Sequence, residues 1–158
     1  MRYFCRQRYL GHVPLLLLLV CLVSSALAQT RVDYLGGTEP AMAGVKNGSI
    51  DVADDQYLAF YSKATHVRVP YDRVNLLEYG QKVDRRLLMA IAISPVFLLA
   101  KTRKHFLTIG YTGESGKQEA LLFRVDKNRI RAMLVGLEAR TGLKVQYQDP
   151  EARKAGKG

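Results

Sequence analysis

Two alternating runs joined by a glycine-containing turn, with an amphipathic pattern directly after them, constrain this chain most. Residues 106–112 (FLTIGYT) put Phe106, Thr108, Gly110 and Thr112 on one side and Leu107, Ile109 and Tyr111 on the other, the two-residue period of a strand. Gly113-Glu114-Ser115-Gly116 is a strong hairpin signal, and 119–125 (EALLFRV) returns as the partner strand. Asp126 then suits a helix N-cap, its carboxylate accepting from free amides of the first turn. Ile130, Met133, Leu134 and Leu137 follow the i, i+3, i+4, i+7 spacing of one apolar face. Lys127, Arg129, Arg131, Glu138 and Arg140 lie largely off that stripe. The helix runs to about Thr141, Gly142 suits its left-handed stop, and Leu143 supplies the apolar contact that follows. Strands with one apolar face need a cover, and one helix with one apolar stripe is a suitable cover.

The same grammar extends upstream. Short strands are expected at 50–52, at 57–62 (YLAFYS), at 66–69 and at 74–81, with turns at 54–56 and 63–65. Val67 and Val69 alternate with His66 and Arg68, and Pro70 interrupts pairing at the strand end. Residues 29–47 contain Gly36, Gly37, Pro40 and Gly44 and read as a flexible N-terminal segment. Residues 145–147 form a last short extended piece. Residues 148–158, charged and glycine-containing, read as a disordered basic tail. One domain over 48–147 is therefore expected, mainly β (α+β), with a single C-terminal amphipathic helix.

An uncharged apolar run, 87–100 (LLMAIAISPVFLLA), interrupts the strands midway. Arg85 and Arg86 precede it, and Lys101, Arg103, Lys104 and His105 follow. A membrane-crossing helix needs about 20 apolar residues, so a run this short fits a buried or interfacial segment better. Two readings stand: a helical insertion packed in the domain, or a segment dipping into a lipid interface with its cations at headgroup level. Pro95 suits a bend in either.

Residues 1–28 read as a signal peptide. Arg2, Arg6 and Arg8 form the basic region, 13–23 (VPLLLLLVCLV) the apolar core, and Ala26-Leu27-Ala28 the cleavage site before Gln29. A lipoprotein attached through Cys21 is disfavoured by Val20, which is not small. The chain carries +10 at neutral pH, and the part after Ala28 remains strongly basic. Both cysteines, Cys5 and Cys21, precede the cleavage site. The mature chain accordingly has no disulfide, no thiolate nucleophile and no cysteine metal site. An exported basic protein meets anionic headgroups or acidic envelope polymers rather than nucleic acid.

Residues 48–81 (GSIDVADDQYLAFYSKATHVRVPYDRVNLLEYGQ) resemble the first half of bacterial pleckstrin-homology-like (PH-like) domains, where short strands lead through a V-P-Y-D-R-V-like step into a longer strand. KTRKHFLTIGYTGESGKQEALLFRV and RAMLVGLEARTGLKVQY are similar to the later hairpin and closing helix of secreted bacterial proteins of this kind. The resemblance spans roughly 48–147. It implies an antiparallel, partly open barrel or two packed sheets, closed by the helix. It implies no particular function, because PH-like folds host lipid, peptide and purely structural roles. The 87–100 run departs from the family's simple meander.

Catalytic constellations are sparse. His66 and His105 sit in no HxH, HExxH or His-Asp context, and no G-x-S-x-G surrounds Ser94. No metal or cofactor site is expected. The basic residues lead instead: Lys63 and Arg68 in the strand region, with Arg85, Arg86, Lys101, Arg103 and Lys104 around the apolar run. The sequence thus points to an exported, non-catalytic binding or scaffolding module for a protein partner or an anionic membrane surface. A membrane-embedded or membrane-anchored protein, and an enzyme of unrecognised type, are the alternatives.

Overall fold

A computed structural model describes residues 29–81 and 105–157. Eight strands form one sheet in the order β4-β3-β2-β1-β7-β6-β5-β8. They are β1 (Gln29–Gly37), β2 (Asn47–Asp51), β3 (Tyr57–Tyr61), β4 (His66–Pro70), β5 (Val74–Gly80), β6 (His105–Thr112), β7 (Gln118–Val125) and β8 (Gln146–Tyr147). Seven neighbouring strands pair antiparallel, and β8 joins β5 in parallel, so the sheet is mixed and open. Two helices follow β7: α1 (Lys127–Thr141) and, after β8, α2 (Pro150–Lys157).

The inward side chains of both halves share one core. Ile50, Leu58, Phe60 and Val69 on one side and Leu77, Tyr79, Leu107, Ile109, Leu121 and Phe123 on the other belong to a single buried cluster. Phe60 on β3 and Phe123 on β7 stand three strand spacings apart along the sheet, about 14 Å if it were flat. Their ring centroids are 5.3 Å apart. The sheet must therefore curl, bringing its halves face to face. Ile130, Met133, Leu134 and Leu137 of α1 enter the same cluster, as their spacing requires.

The hairpin and helix follow their local rules. β6 and β7 pair from His105 with Val125 to Thr112 with Gln118, across a turn in which Gly116 has a φ of 76°. Asp126 accepts from the Asn128 amide at 2.7 Å, and Gly142 ends α1 at a φ of 71°.

Two expectations are corrected. Residues 29–47 are not a flexible segment: β1 is a central strand, paired with both β2 and β7. Its glycines, which read as loop signals, serve close approach instead. A β-bulge falls between Tyr34 and Gly36, and the place a Gly37 Cβ would occupy lies 2.5 Å from the Ala120 carbonyl oxygen. Beyond it, Pro40–Met42 form a 3₁₀ turn that puts Met42 into the core. Likewise, the described part of 148–158, which reaches Lys157, is not a disordered tail. Asp149 accepts from the Ala152 amide at 2.6 Å and, through its other oxygen, from the Gln81 amide at 2.9 Å. Pro150 opens α2, and Ala152 is fully buried in the core. An isolated helix of this length is marginal in water; docking is what stabilises it here.

The expected leader, 1–28, and the apolar insertion, 87–100, lie outside the described residues, as do Arg85, Arg86, Lys101, Arg103 and Lys104. Among the described residues no helix is long and apolar enough to cross a membrane.

Candidate basic clefts at the amino end of the closing helix

The first turn of α1 carries Lys127 and Arg129, with Arg131 just beyond, and its acidic group is the N-cap, Asp126. Helix amino ends already bear a partial positive charge and usually attract Asp or Glu. Here one carboxylate, Asp126, meets three cations, so the surroundings of this end stay basic. Two clefts open beside this end.

The larger, about 1380 Å³ and open to solvent, is lined by Arg31 and Asp33 of β1, Ser49 of β2 and Lys63 in the β3–β4 turn, and further by His105, Arg124 and Arg129. Strand pairing explains the grouping. Asp33 lies opposite Arg124 on β7 and Asn47 on β2, so the outward side chains of three strands converge beside the helix. Arg124 is engaged by Asp33 in an ion pair. Arg31, Lys63 and Arg129 form no ion pair among the described residues. They make a cluster of exposed, unneutralised cations around one concavity. The smaller cleft, about 970 Å³, is lined by Lys127, Arg131 and Lys154, together with Glu151 and again His105.

His105 stands between the two. Its Nδ1 shares a hydrogen bond with the Tyr79 hydroxyl, and the two rings stack at 5.8 Å. Burial, with help from Asp149 and Tyr147, pushes the Tyr79 hydroxyl up to about 12, so it keeps its proton at neutral pH. Burial first, and then the Lys127 charge, hold His105 below the ordinary imidazole range, against smaller opposing effects of Asp126 and Asp149. Two carboxylates share the larger cleft with His105, and both are occupied elsewhere: Asp126 caps α1 and Asp33 holds Arg124. The histidine's partner is a tyrosine, not a carboxylate. Among the described residues no cluster of His, Cys, Asp or Glu is arranged to hold a metal ion.

A lowered imidazole value makes stability depend on pH. Below 6.5, the unfolded ring binds a proton that the folded ring resists, so unfolding takes up protons and stability falls with falling pH. The loss continues until the lower folded value is passed. A thermal unfolding series should show a declining midpoint on acidification below about pH 6.5 that is reduced in His105→Gln. Equal declines in both proteins would assign it to other groups.

Of the basic residues singled out in the sequence, Lys63 reaches the cleft and Arg68 does not. Arg68 faces outward on β4 opposite Ala59, nearer the Asp54 turn. There two backbone amides, from Gln56 and Tyr57, chiefly hold the Asp54 carboxyl below the usual range, with Arg68 and Arg140 adding to it. Sequence reasoning missed Arg31 and Arg124, which become neighbours only through β1–β7 pairing, and passed over Arg129. The one local signal for Arg129 was the run of cations in the first turn of α1, where acids are the common choice. The chain matches no protein-family model and no curated protein sequence.

Proposed function

We propose that this chain is an exported, non-catalytic module of PH-like type that uses the larger cleft to hold phosphate-bearing headgroups of an anionic membrane surface. One observation carries the reading: Arg31, Lys63 and Arg129, from three separate elements, line one concavity beside the amino end of a helix and form no ion pair among the described residues. The antiparallel order of β1 to β7, with a helix packed into the core directly after β7, supports the PH-like part. The leader signature at 1–28, with Ala26-Leu27-Ala28 before Gln29, supports export. An N-terminal mass for the exported protein beginning elsewhere would remove that part.

The test is co-sedimentation with vesicles of phosphatidylcholine, with and without phosphatidylglycerol. Binding should require the anionic lipid and weaken with added salt. Each cation near an anionic surface contributes about 1 kcal/mol. Neutralising three together, as Arg31→Gln, Lys63→Gln and Arg129→Gln, should therefore lower the affinity roughly 100-fold. Arg68→Gln, outside the cleft, should have much the smaller effect. Wild-type protein that ignores the anionic vesicles at low salt, or a triple variant that binds as well as wild type, overturns the reading.

A further inference from the structure

The outward face of the sheet is not uniform. On β4 and on the edge of β3 it is wet, with His66, Arg68 and Tyr61 all exposed. Over the middle of β7 and β6 and at the bulge of β1 it is dry, although the ends of these strands carry exposed Arg31 and Gln118. Leu122 and Thr108 lie opposite each other on β7 and β6, on the face away from the core, yet they are 0% and 3% exposed. Leu35, at the bulge of β1, and Ala120 are 7% exposed, and Phe106 and Leu76 of the same face are half-buried. One face of an antiparallel sheet commonly faces water, and a leucine there keeps its surface unless something lies on it. Both helices put their apolar side chains into the cluster on the opposite face. Among the described residues, nothing assigned to that cluster covers Leu122.

We propose that the outward face of β5, β6, β7 and β1 is a docking surface for this chain's own residues 87–100. The chain leaves the described structure just after β5 and returns at the start of β6, so the segment is tethered at both ends to two strands of this face. Such tethering gives it a high effective concentration there. Its composition matches the patch: an uncharged run of Leu, Ile, Val, Met and Phe meets Leu35, Leu122, Phe106 and Leu76. Its reach is sufficient, because four strands span about 14 Å and the run covers about 20 Å even at helical rise. Its basic flanks meet Glu78, which sits half-buried on the same face opposite Thr108. The leader is the poorer occupant: it joins the structure only at the β1 margin and carries a cleavage signal. The apolar run is thereby accounted for within the protein, leaving the basic cleft rather than this run to meet a membrane.

Thiol accessibility tests it in the full chain with Cys5 and Cys21 replaced by alanine. Thr108→Cys should react with a maleimide roughly 100-fold more slowly than Gln118→Cys, an exposed outward position, since labelling must wait for the segment to open. Replacing 87–100 with a Gly-Ser linker should make Thr108→Cys react nearly as fast as Gln118→Cys while the circular dichroism of the sheet persists. Rapid labelling with the run in place, or protection that survives its replacement, overturns the proposal. So does protection that rises with protein concentration, which marks a second copy as the occupant. Because the linker variant risks unfolding, a second measurement stands alone: Thr108→Cys should form an intramolecular disulfide with at least one cysteine scanned through 87–100. No such crosslink at any scanned position also overturns it.

Discussion

Phe123→Ala is expected to cost about 3–5 kcal/mol of unfolding free energy, a large part of the roughly 5–15 kcal/mol that a domain of this size has in total. Phe123 is fully buried on β7 and packs against Phe60 at 5.3 Å and Tyr34 at 5.8 Å. Those three rings come from β7, β3 and β1, so truncation opens a cavity between the curled halves rather than at one strand's edge. The associated ring pairs add about 0.5–1.5 kcal/mol each beyond area burial. Urea unfolding should show a lower midpoint with an unchanged slope. Tyr61→Ala, on the outward edge, should change stability by no more than about 0.5 kcal/mol. A Phe123→Ala loss as small as that of Tyr61→Ala would mean the two halves do not share a core.

Gly48→Ala should destabilise by about 1–3 kcal/mol, the cost of forcing an extra carbon into packed structure. A Cβ at Gly48 would sit 2.2 Å from the Tyr61 carbonyl oxygen and 2.5 Å from Cζ of Phe60. The first of these is backbone on the paired strand β3, so relief requires moving a strand and with it the ring that contacts Phe123. The usual effect of Gly→Ala at a compatible site has the opposite sign, a gain of about 0.4–1 kcal/mol from a less flexible unfolded chain. Equilibrium unfolding in urea separates the two outcomes by sign alone. A stabilised Gly48→Ala protein would show that β2 and β3 are less closely apposed than the structure has them.

The parts of the fold legible in the sequence are those governed by neighbours along the chain. The β6–β7 hairpin follows from alternation on both sides of a glycine turn. The limits of α1 follow from Asp126, the stripe at Ile130, Met133, Leu134 and Leu137, and Gly142. Even the two-residue β8 was visible as a short extended piece. The misreadings at 29–47 and 148–158 have one cause. Gly36 and Gly37 look like breakers until the Ala120 carbonyl is known to press against the strand. Residues 150–157 look frayed until Ala152 is known to be buried and Asp149 to hold the Gln81 amide. Both facts depend on groups more than 60 positions away in the chain.

The candidate site divides the same way. The sequence by itself determined that the protein is basic, that its chain after the expected cleavage site lacks thiols, and that Lys63 lies in a turn between strands. Tertiary structure alone decided that Lys63 keeps company with Arg31 and Arg129 and not with Arg68. Residue periodicity tells which face of a strand a side chain takes, a property of two or three neighbouring residues. Which faces then meet is set by pairing β1 with β7 and by the curl of the sheet, and those contacts join positions too far apart for any local pattern to encode.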